Sequence, residues 1–289
     1  MKISLIKTIN MAAVEEDERK YKEKAVISSH YPSSLFACPR QQFYSWKRLK
    51  RSNPPNGDKI IVMETGNKVE EMIMNYLKLA DCKPVGQVEL KAELDGCLFQ
   101  LSGKIDGVFE IAGEKMIIEV KSGAGRYIAN MRLEGAPRKE HANQTAAYLV
   151  YNKLGITKAF IFYQARDSSM QLEYFFELKN GKLYMNGNEW CEDIERWKHK
   201  VSGWCRDVEV YFLNNTLPAK SFFASIKNGE IKDFQKDNVI YSSDWQCDYC
   251  AWADICWKEE IDKYSAYDNA MDAPDRCKKN AKAKKEVKP

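Results

Sequence analysis

The strongest constraint on this chain is a short apolar run that carries charge: Lys115-Met116-Ile117-Ile118-Glu119-Val120-Lys121. Such a run reads as a central strand, where an ionised side chain is expensive unless it is paired or holds a cation. Strand alternation puts Glu119 and Lys121 on one face. Just upstream, a second strand-like run contains Gly103-Lys104-Ile105-Asp106-Gly107, with Asp106 flanked by Ile105 and Val108. If the two runs pair antiparallel, Asp106 and Glu119 project together. They then present two carboxylates, with an ammonium beside them, to a hard cation such as Mg²⁺ or Mn²⁺. That grouping suits phosphodiester hydrolysis, because the metal lowers the pKa of a water and the ammonium orients that water or stabilises phosphate charge. A solvated alternating face would explain an isolated Glu-x-Lys, but not one embedded among Ile117, Ile118 and Val120.

The flanking sequence predicts a layered α/β fold. Ser33 or Ser34 can cap a helix through Leu35 to Leu49, which the RSNPPNGDK segment then breaks. A second helix is expected from about Thr65 to Leu79, with Val69, Met72, Ile73, Tyr76 and Leu77 on one face. Three strands follow as a meander from Val85 to Lys121, separated by Asp95-Gly96 and Ala112-Gly113-Glu114. Then come a helix from about Arg138 to Leu154 and two strands, TKAFIFYQAR and MQLEYFFEL. A long amphipathic helix from Asn188 to Phe212 completes the pattern, with Trp190, Ile194, Trp197, Val201 and Trp204 inward. There is no internal repeat. Residues 1–30 read as a polar segment without a clear period, 31–265 as one elaborated domain and 266–289 as a basic, disordered tail.

Two further groups of residues stand out. Gln144 and Tyr148 lie four apart, so a helix presents an amide and a phenol together. Near the C-terminus, Cys247, Cys250 and Cys256 form a Cys-x2-Cys-x5-Cys arrangement in a segment too polar and aromatic to be a simple core helix. Three thiolates so spaced want a fourth ligand, for zinc or for a cubane cluster. Cys38 is the best candidate and Cys277 its rival, while Cys82, Cys97, Cys191 and Cys205 read as small buried hydrophobes.

In the order Asp106, Glu119-x-Lys121, Gln144-x-x-x-Tyr148, the chain resembles the RecB-like branch of the PD-(D/E)xK nucleases over roughly residues 33–260. The resemblance implies a central mixed β-sheet flanked by helices, with Asp106, Glu119 and Lys121 at the metal-binding and catalytic positions. It places Gln144 and Tyr148 on the accessory helix motif. Relatives carry Gly-x-x-x-His on an earlier helix, its histidine a metal ligand; here Gly66-Asn67-Lys68-Val69-Glu70 puts a glutamate there, which can also bind Mg²⁺ or Mn²⁺. Ile105 stands where the family has proline. One distant cysteine with a compact trio resembles the iron-sulfur staple of AddB-type nucleases, CRISPR-associated exonucleases and related phage recombination nucleases. The resemblance therefore favours a [4Fe-4S] cluster over zinc at Cys38, Cys247, Cys250 and Cys256, tying the N- and C-terminal segments together. The implied activity is a deoxyribonuclease, an exonuclease on single-stranded or end-containing DNA. The alternative is a non-catalytic, cluster-bearing DNA-binding subunit of a recombination or CRISPR adaptation complex, whose proteins are the implied partners. An RNA-processing nuclease would use the same site chemistry.

Composition bounds the remaining classes. With 44% hydrophobic and 30% charged residues, the balance is that of an ordinary soluble chain, and no apolar run is long enough for a bilayer span. The opening MKISLIKTINMAAVEEDERK turns acidic where a signal peptide needs an apolar core, so a cytoplasmic location is expected. Nine cysteines in a reducing compartment point to metal binding rather than disulfides. The net charge of +4 does not by itself announce a nucleic-acid binder; the basic C-terminal RCKKNAKAKKEVKP reads as a solvated end or a DNA-contacting arm. No phosphate-cradling Gly-x-x-x-x-Gly-Lys-[Ser/Thr] occurs, so helicase activity would have to come from another chain.

Overall fold

The computed structural model describes residues 4–23, 29–80, 82–191 and 193–280. The chain divides into two compact units. One comprises the described residues of Met1–Ala37 with Gly57–Asn214; the other comprises Cys38–Asn56 and the described residues from Asn215 onward. In chain order the longer helices are α1 (Leu5–Glu23), α2 (Pro39–Trp46), α3 (Gly57–Leu79), α4 (Gly125–Glu134), α5 (Lys139–Tyr151) and α6 (Ile194–Leu213). The strands of the first unit are β1 (Ser29–His30), β2 (Lys83–Ala92), β3 (Gln100–Ile111), β4 (Glu114–Gly123), β5 (Lys158–Ala165), β6 (Gln171–Lys179), β7 (Lys182–Met185) and β8 (Asn188–Cys191).

The first unit is the expected mixed sheet flanked by helices. Its order is β1-β3-β4-β5-β6-β7-β8, with β2 also on β3; β1–β3 and β4–β5 are parallel and the other pairs antiparallel. β4 is apolar because both of its faces are covered. On one side Ile118 and Val120, with Phe109 and Met116, pack against Ile73, Met74 and Leu77 of α3. On the other, Ile117 joins Ile105, Ile161 and Tyr163 in a core shared with Ala142, Ala146, Tyr148 and Leu149 of α5.

β3 changes partners along its length. Gln100 and Leu101 pair with β1, whereas Gly107 to Ile111 pair with β4, so β3 and β4 part company at Asp106. Against β2, Val88 pairs with Ile105 but Gly86 pairs with Val108, so β3 holds an extra residue there. This bulge lets Ile105 and Val108 both enter the core and frees Asp106, lying between them, to aim elsewhere.

Several elements differ from the sequence reading. The polar segment before residue 30 contains α1, whose residues are none of them buried. The first expected helix is split: Pro32–Ser34 form one 3₁₀ turn, Phe36 takes a left-handed φ of 60°, and α2 restarts with Pro39 at its first position. α3 begins at Gly57, one residue after Pro54-Pro55. Asn188 to Cys191, expected as helix, is strand β8. Asn186 and Gly187 both have positive φ, 48° and 80°, and form a two-residue hairpin turn to β7; α6 starts only after Asp193, whose side chain accepts from the Arg196 N–H.

The second unit is built around Phe223, Ile226, Cys247, Trp257, Tyr264, Ala273 and Cys277. It contains the hairpin β9 (Ile226–Lys227) and β10 (Glu230–Ile231). A small sheet joins β11 (Phe234–Lys236), β12 (Val239–Tyr241) and β13 (Lys278–Asn280), and the short helices are α7 (Trp245–Asp248), α8 (Ala253–Cys256) and α9 (Lys258–Lys263). Its two chain segments are tied by Asn53 N–H to Ala251 O at 2.8 Å, Trp252 Nε1 to Leu49 O at 2.9 Å and Arg40 Nε to Pro218 O at 2.5 Å. Within the stretch read as a basic tail, residues 275–280 form a 3₁₀ turn and β13; the final 281–289 lie outside the described residues. No helix among the described residues is long and apolar enough to cross a membrane.

Candidate active site

The fork between β3 and β4 gathers the charged residues singled out in the sequence. The first rung beyond Gly107–Ile118 is replaced by a side chain: Asp106 Oδ2 accepts the Val120 N–H at 2.9 Å. Asp106 thereby occupies the gap that the diverging strands leave. Burial raises its carboxyl above the usual range, against the opposing pull of Lys121, the Val120 N–H and Lys104. Glu119 is fully buried and ion-paired with Lys121, and its Oε2 has no hydrogen-bond partner among the described residues. Burial pushes its pKa up to about 8; Lys121 opposes the shift and the Asp106 charge adds to it. Burial works against the Lys121 charge, but Glu119, Asp106 and Glu70 outweigh it and hold the ammonium above the ordinary lysine range.

α3 supplies the third carboxylate. A Cβ on Gly66 would stand 3.0 Å from Ser122 Oγ, so glycine lets the helix lie close to the end of β4. One turn later comes Glu70, half-buried, its carboxyl raised first by burial and then by Asp106, while Lys121 and Lys104 oppose. The cleft beside α3, about 790 Å³, is lined by Asn67, Glu70, Lys78, Lys104 and Asp106 among others. Asp106, Glu119 and Glu70 offer only oxygen, the donor type of a hard divalent cation, and a buried carboxylate oxygen without a donor is costly unless a proton or cation meets it. The residues fit Mg²⁺ or Mn²⁺ on those grounds. Among the described residues no group of three histidine, cysteine, aspartate or glutamate side chains already stands ready around a metal.

Gln144 and Tyr148 are both buried on α5. Gln144 Nε2 donates to Tyr148 Oη at 3.1 Å, and Tyr148 Oη donates to the Lys104 carbonyl at 3.0 Å. That carbonyl lies on the stretch of β3 between its two partner strands, so the pair braces the fork. Three groups escaped the sequence reading. Lys104 is exposed and acts electrostatically on both Asp106 and Glu70. His141 places Nδ1 2.8 Å from Tyr163 Oη; burial, then the charges of Lys121 and Arg138, drive its pKa down to about 3, so the ring is neutral. Arg166 is tethered to Ser122, directly after Lys121. Lys104 could have been flagged by its place two residues before Asp106; no sequence signal marks the other two.

The four singled-out cysteines all belong to the second unit. Cys38 precedes α2, Cys247 lies on α7, Cys250 in the following turn and Cys256 at the end of α8. Burial is the main cause raising the Cys38, Cys247 and Cys250 thiols, the latter two to about 12 and about 11, and neighbouring cysteine charges add to each. Arg40 Nη1 stands 3.6 Å from Cys256 Sγ. Cys277 is buried with its thiol 3.6 Å from Asp244 Oδ1. Cys82, Cys97, Cys191 and Cys205 pack in the first unit against its apolar clusters.

Among solved structures, that of SSO0001 superposes with a TM-score of 0.51 at 15% identity, covering 89% of this chain and 98% of that one. An alkaline exonuclease (LHK-Exo) from Laribacter hongkongensis matches with a TM-score of 0.39 and 13% identity, over 68% of this chain and 95% of that one. Its complex with dAMP gives 0.39 and 12%, over 72% and 95%. No curated protein matches the chain. The model of the PD-(D/E)XK nuclease superfamily matches residues 45–257, a span that contains Glu70, the fork residues and the cysteine trio, and the chain accordingly belongs to the PD-(D/E)XK nuclease superfamily.

Proposed function

We propose that the chain is a metal-dependent deoxyribonuclease that hydrolyses phosphodiester bonds at the β3–β4 fork, acting as an exonuclease on single-stranded or end-containing DNA. The observation that carries the hydrolytic reading is Glu119: fully buried, beside Lys121, with one oxygen unpartnered among the described residues. Asp106, Glu119 and Glu70 would hold Mg²⁺ or Mn²⁺, and such a cation supplies water activation and neutralisation of phosphate charge. Lys121 keeps its proton among three carboxylates and places a fixed positive charge where charge develops on the phosphate. Gln144 and Tyr148 act as positioning residues, holding Lys104 and its strand so that Asp106 keeps its place. Family membership and the all-oxygen donor set support this reading; the preference for ends rests on the sequence resemblance.

In the second unit, Cys38, Cys247, Cys250 and Cys256 would hold a [4Fe-4S] cluster, with zinc the alternative occupant. The electrostatic coupling of these thiols within one unit supports this. Its part would be structural, since hydrolysis transfers no electrons. Protein purified without oxygen should then absorb broadly near ~400 nm from thiolate-to-iron charge transfer; colourless, zinc-replete protein would replace the cluster by zinc.

The deciding experiment incubates anaerobically purified protein with end-labelled linear and with circular DNA, single- and double-stranded, with Mg²⁺, Mn²⁺ or chelator. Metal-dependent loss of linear but not circular DNA is expected. Cutting of circles would make it an endonuclease, and no cutting of any DNA would leave a DNA-binding subunit.

A further inference from the structure

Resting on the nuclease reading, we propose that Arg166 holds a backbone phosphate of the nucleic-acid strand next to the one being cut. Arg166 directly follows β5, the parallel neighbour of β4, and is exposed. Its Nη1 donates to Ser122 Oγ at 3.1 Å and lies 3.3 Å from Ser122 O, while its own N–H donates to Gly123 O at 2.9 Å. The next residue, Asp167, accepts the Gly125 N–H through Oδ1 at 2.6 Å. These ties lock the β5 end onto the residues that immediately follow Lys121, and the guanidinium is thus carried on rigid backbone.

The direction of the cleft puts that guanidinium on the strand's path. Ser122 follows Val120 by alternation and so faces α3, in agreement with its closeness to Gly66. Along α3 the cleft runs from Lys78 past Met74 and Glu70 to Asn67, and Gly66 with Ser122 comes next. Lys78 and Gly66 are three turns apart, roughly 18 Å along the helix. Lys78 therefore stands at one end and Arg166 at the other, with Glu70 and Asp106 between them and the Lys104 charge close to both carboxylates. Among the described residues Arg166 has no ion pair with a carboxylate, and only part of its five-donor fork is used by Ser122. A planar guanidinium with free donors beside a hydrolytic site matches a phosphate's oxygens.

The test is binding, without cleavage, in chelator. A short fluorescent single-stranded oligodeoxynucleotide is titrated at several salt concentrations, and then repeated with a single neutral methylphosphonate scanned along it. Arg166→Gln keeps a side-chain donor for Ser122 but removes the charge. It should weaken binding on the order of tenfold and lower the slope of log affinity against log salt by about 0.7. Arg166→Lys should retain the slope. One methylphosphonate position should weaken the wild type and leave Arg166→Gln indifferent. Equal sensitivity of both proteins at every position, or an unchanged salt slope, would make Arg166 a structural strut and overturn this inference while leaving the nuclease reading intact. Wild-type protein that binds no DNA at all would overturn both.

Discussion

At Glu119 two demands meet: the strand buries the side chain, and the proposed chemistry would need it ionised. The pairing with Lys121 reconciles them in part, and a cation at the proposed site would complete the balance. Lys121→Ala should therefore cut at a rate lower by ~10² to 10³, with DNA binding nearly unchanged, because it removes a charge that acts on the transition state rather than one of many phosphate contacts. Asp106→Ala and Glu119→Ala should fail differently, losing Mn²⁺ binding in calorimetry, whereas Lys121→Ala keeps it. The double variant Asp106→Ala/Lys121→Ala should be scarcely slower than the worse single one. Glu70→Ala should weaken metal binding and be partly rescued by excess Mn²⁺; unchanged metal dependence would make Glu70 a bystander. Two histidines make a pH prediction. Burial, partly offset by Glu209, lowers the pKa of His30, and burial with neighbouring cations lowers that of His141 to about 3 from 6.5. The folded state thus binds fewer protons than the unfolded one. Stability from these groups is present above about pH 6.5 and lost as pH falls toward the folded values. Urea unfolding should show that decline, and His141→Gln should flatten part of it; an equally steep decline in the variant would assign it elsewhere.

At the scale of elements, the acid site depends on one extra residue in β3 and on what fills the fork. A Cβ at Gly107 would stand 2.6 Å from Phe109 Cε2 and 2.8 Å from Met74 Sδ, so Gly107→Ala should disturb the bulge. The expected cost is ~1 to 3 kcal/mol of overpacking, read from denaturant midpoints, with a loss of activity larger than that stability change explains. Tyr148→Phe removes the donor to Lys104 O and should cost about 1 kcal/mol while lowering the rate with little change in metal affinity. A rate equal to the wild type would return Tyr148 to core packing. The meander β2–β4, the helix of Gln144 and Tyr148, and the β5–β6 pair were all legible, because alternation and helical periodicity act over many residues there. Asp106 and Glu119 were legible for a simpler reason, that charge inside an apolar strand demands an explanation. The bulge was not, since it is a register difference between two strands and no residue type announces it. β8 was missed because Trp190, Ile194 and Trp197 continue a helical spacing through the strand, although Asn186-Gly187 carries a hairpin signal. α1 was missed because it buries nothing and so shows no apolar face.

At the scale of the whole molecule, the second unit collects its cysteines from both sides of the first. Replacing Cys38, Cys247, Cys250 or Cys256 by alanine should lose metal and lower the unfolding midpoint, since ligation is coupled to folding. Cys191→Ala should leave the metal content intact, and equal iron in all five variants would remove these cysteines from any ligand role. The order of the segments has its own consequence. Cys38–Asn56 and the chain beyond Asn215 are joined by Asn53, Trp252 and Arg40, so residues 57–214 form a loop whose two ends are pinned together. In polymer terms that closure restricts the unfolded chain more than the folded one, and for a loop of such length the effect is on the order of a few kcal/mol where the pin survives unfolding. A mutation that breaks the pin would then lower the stability of the chain between its ends without touching any residue there.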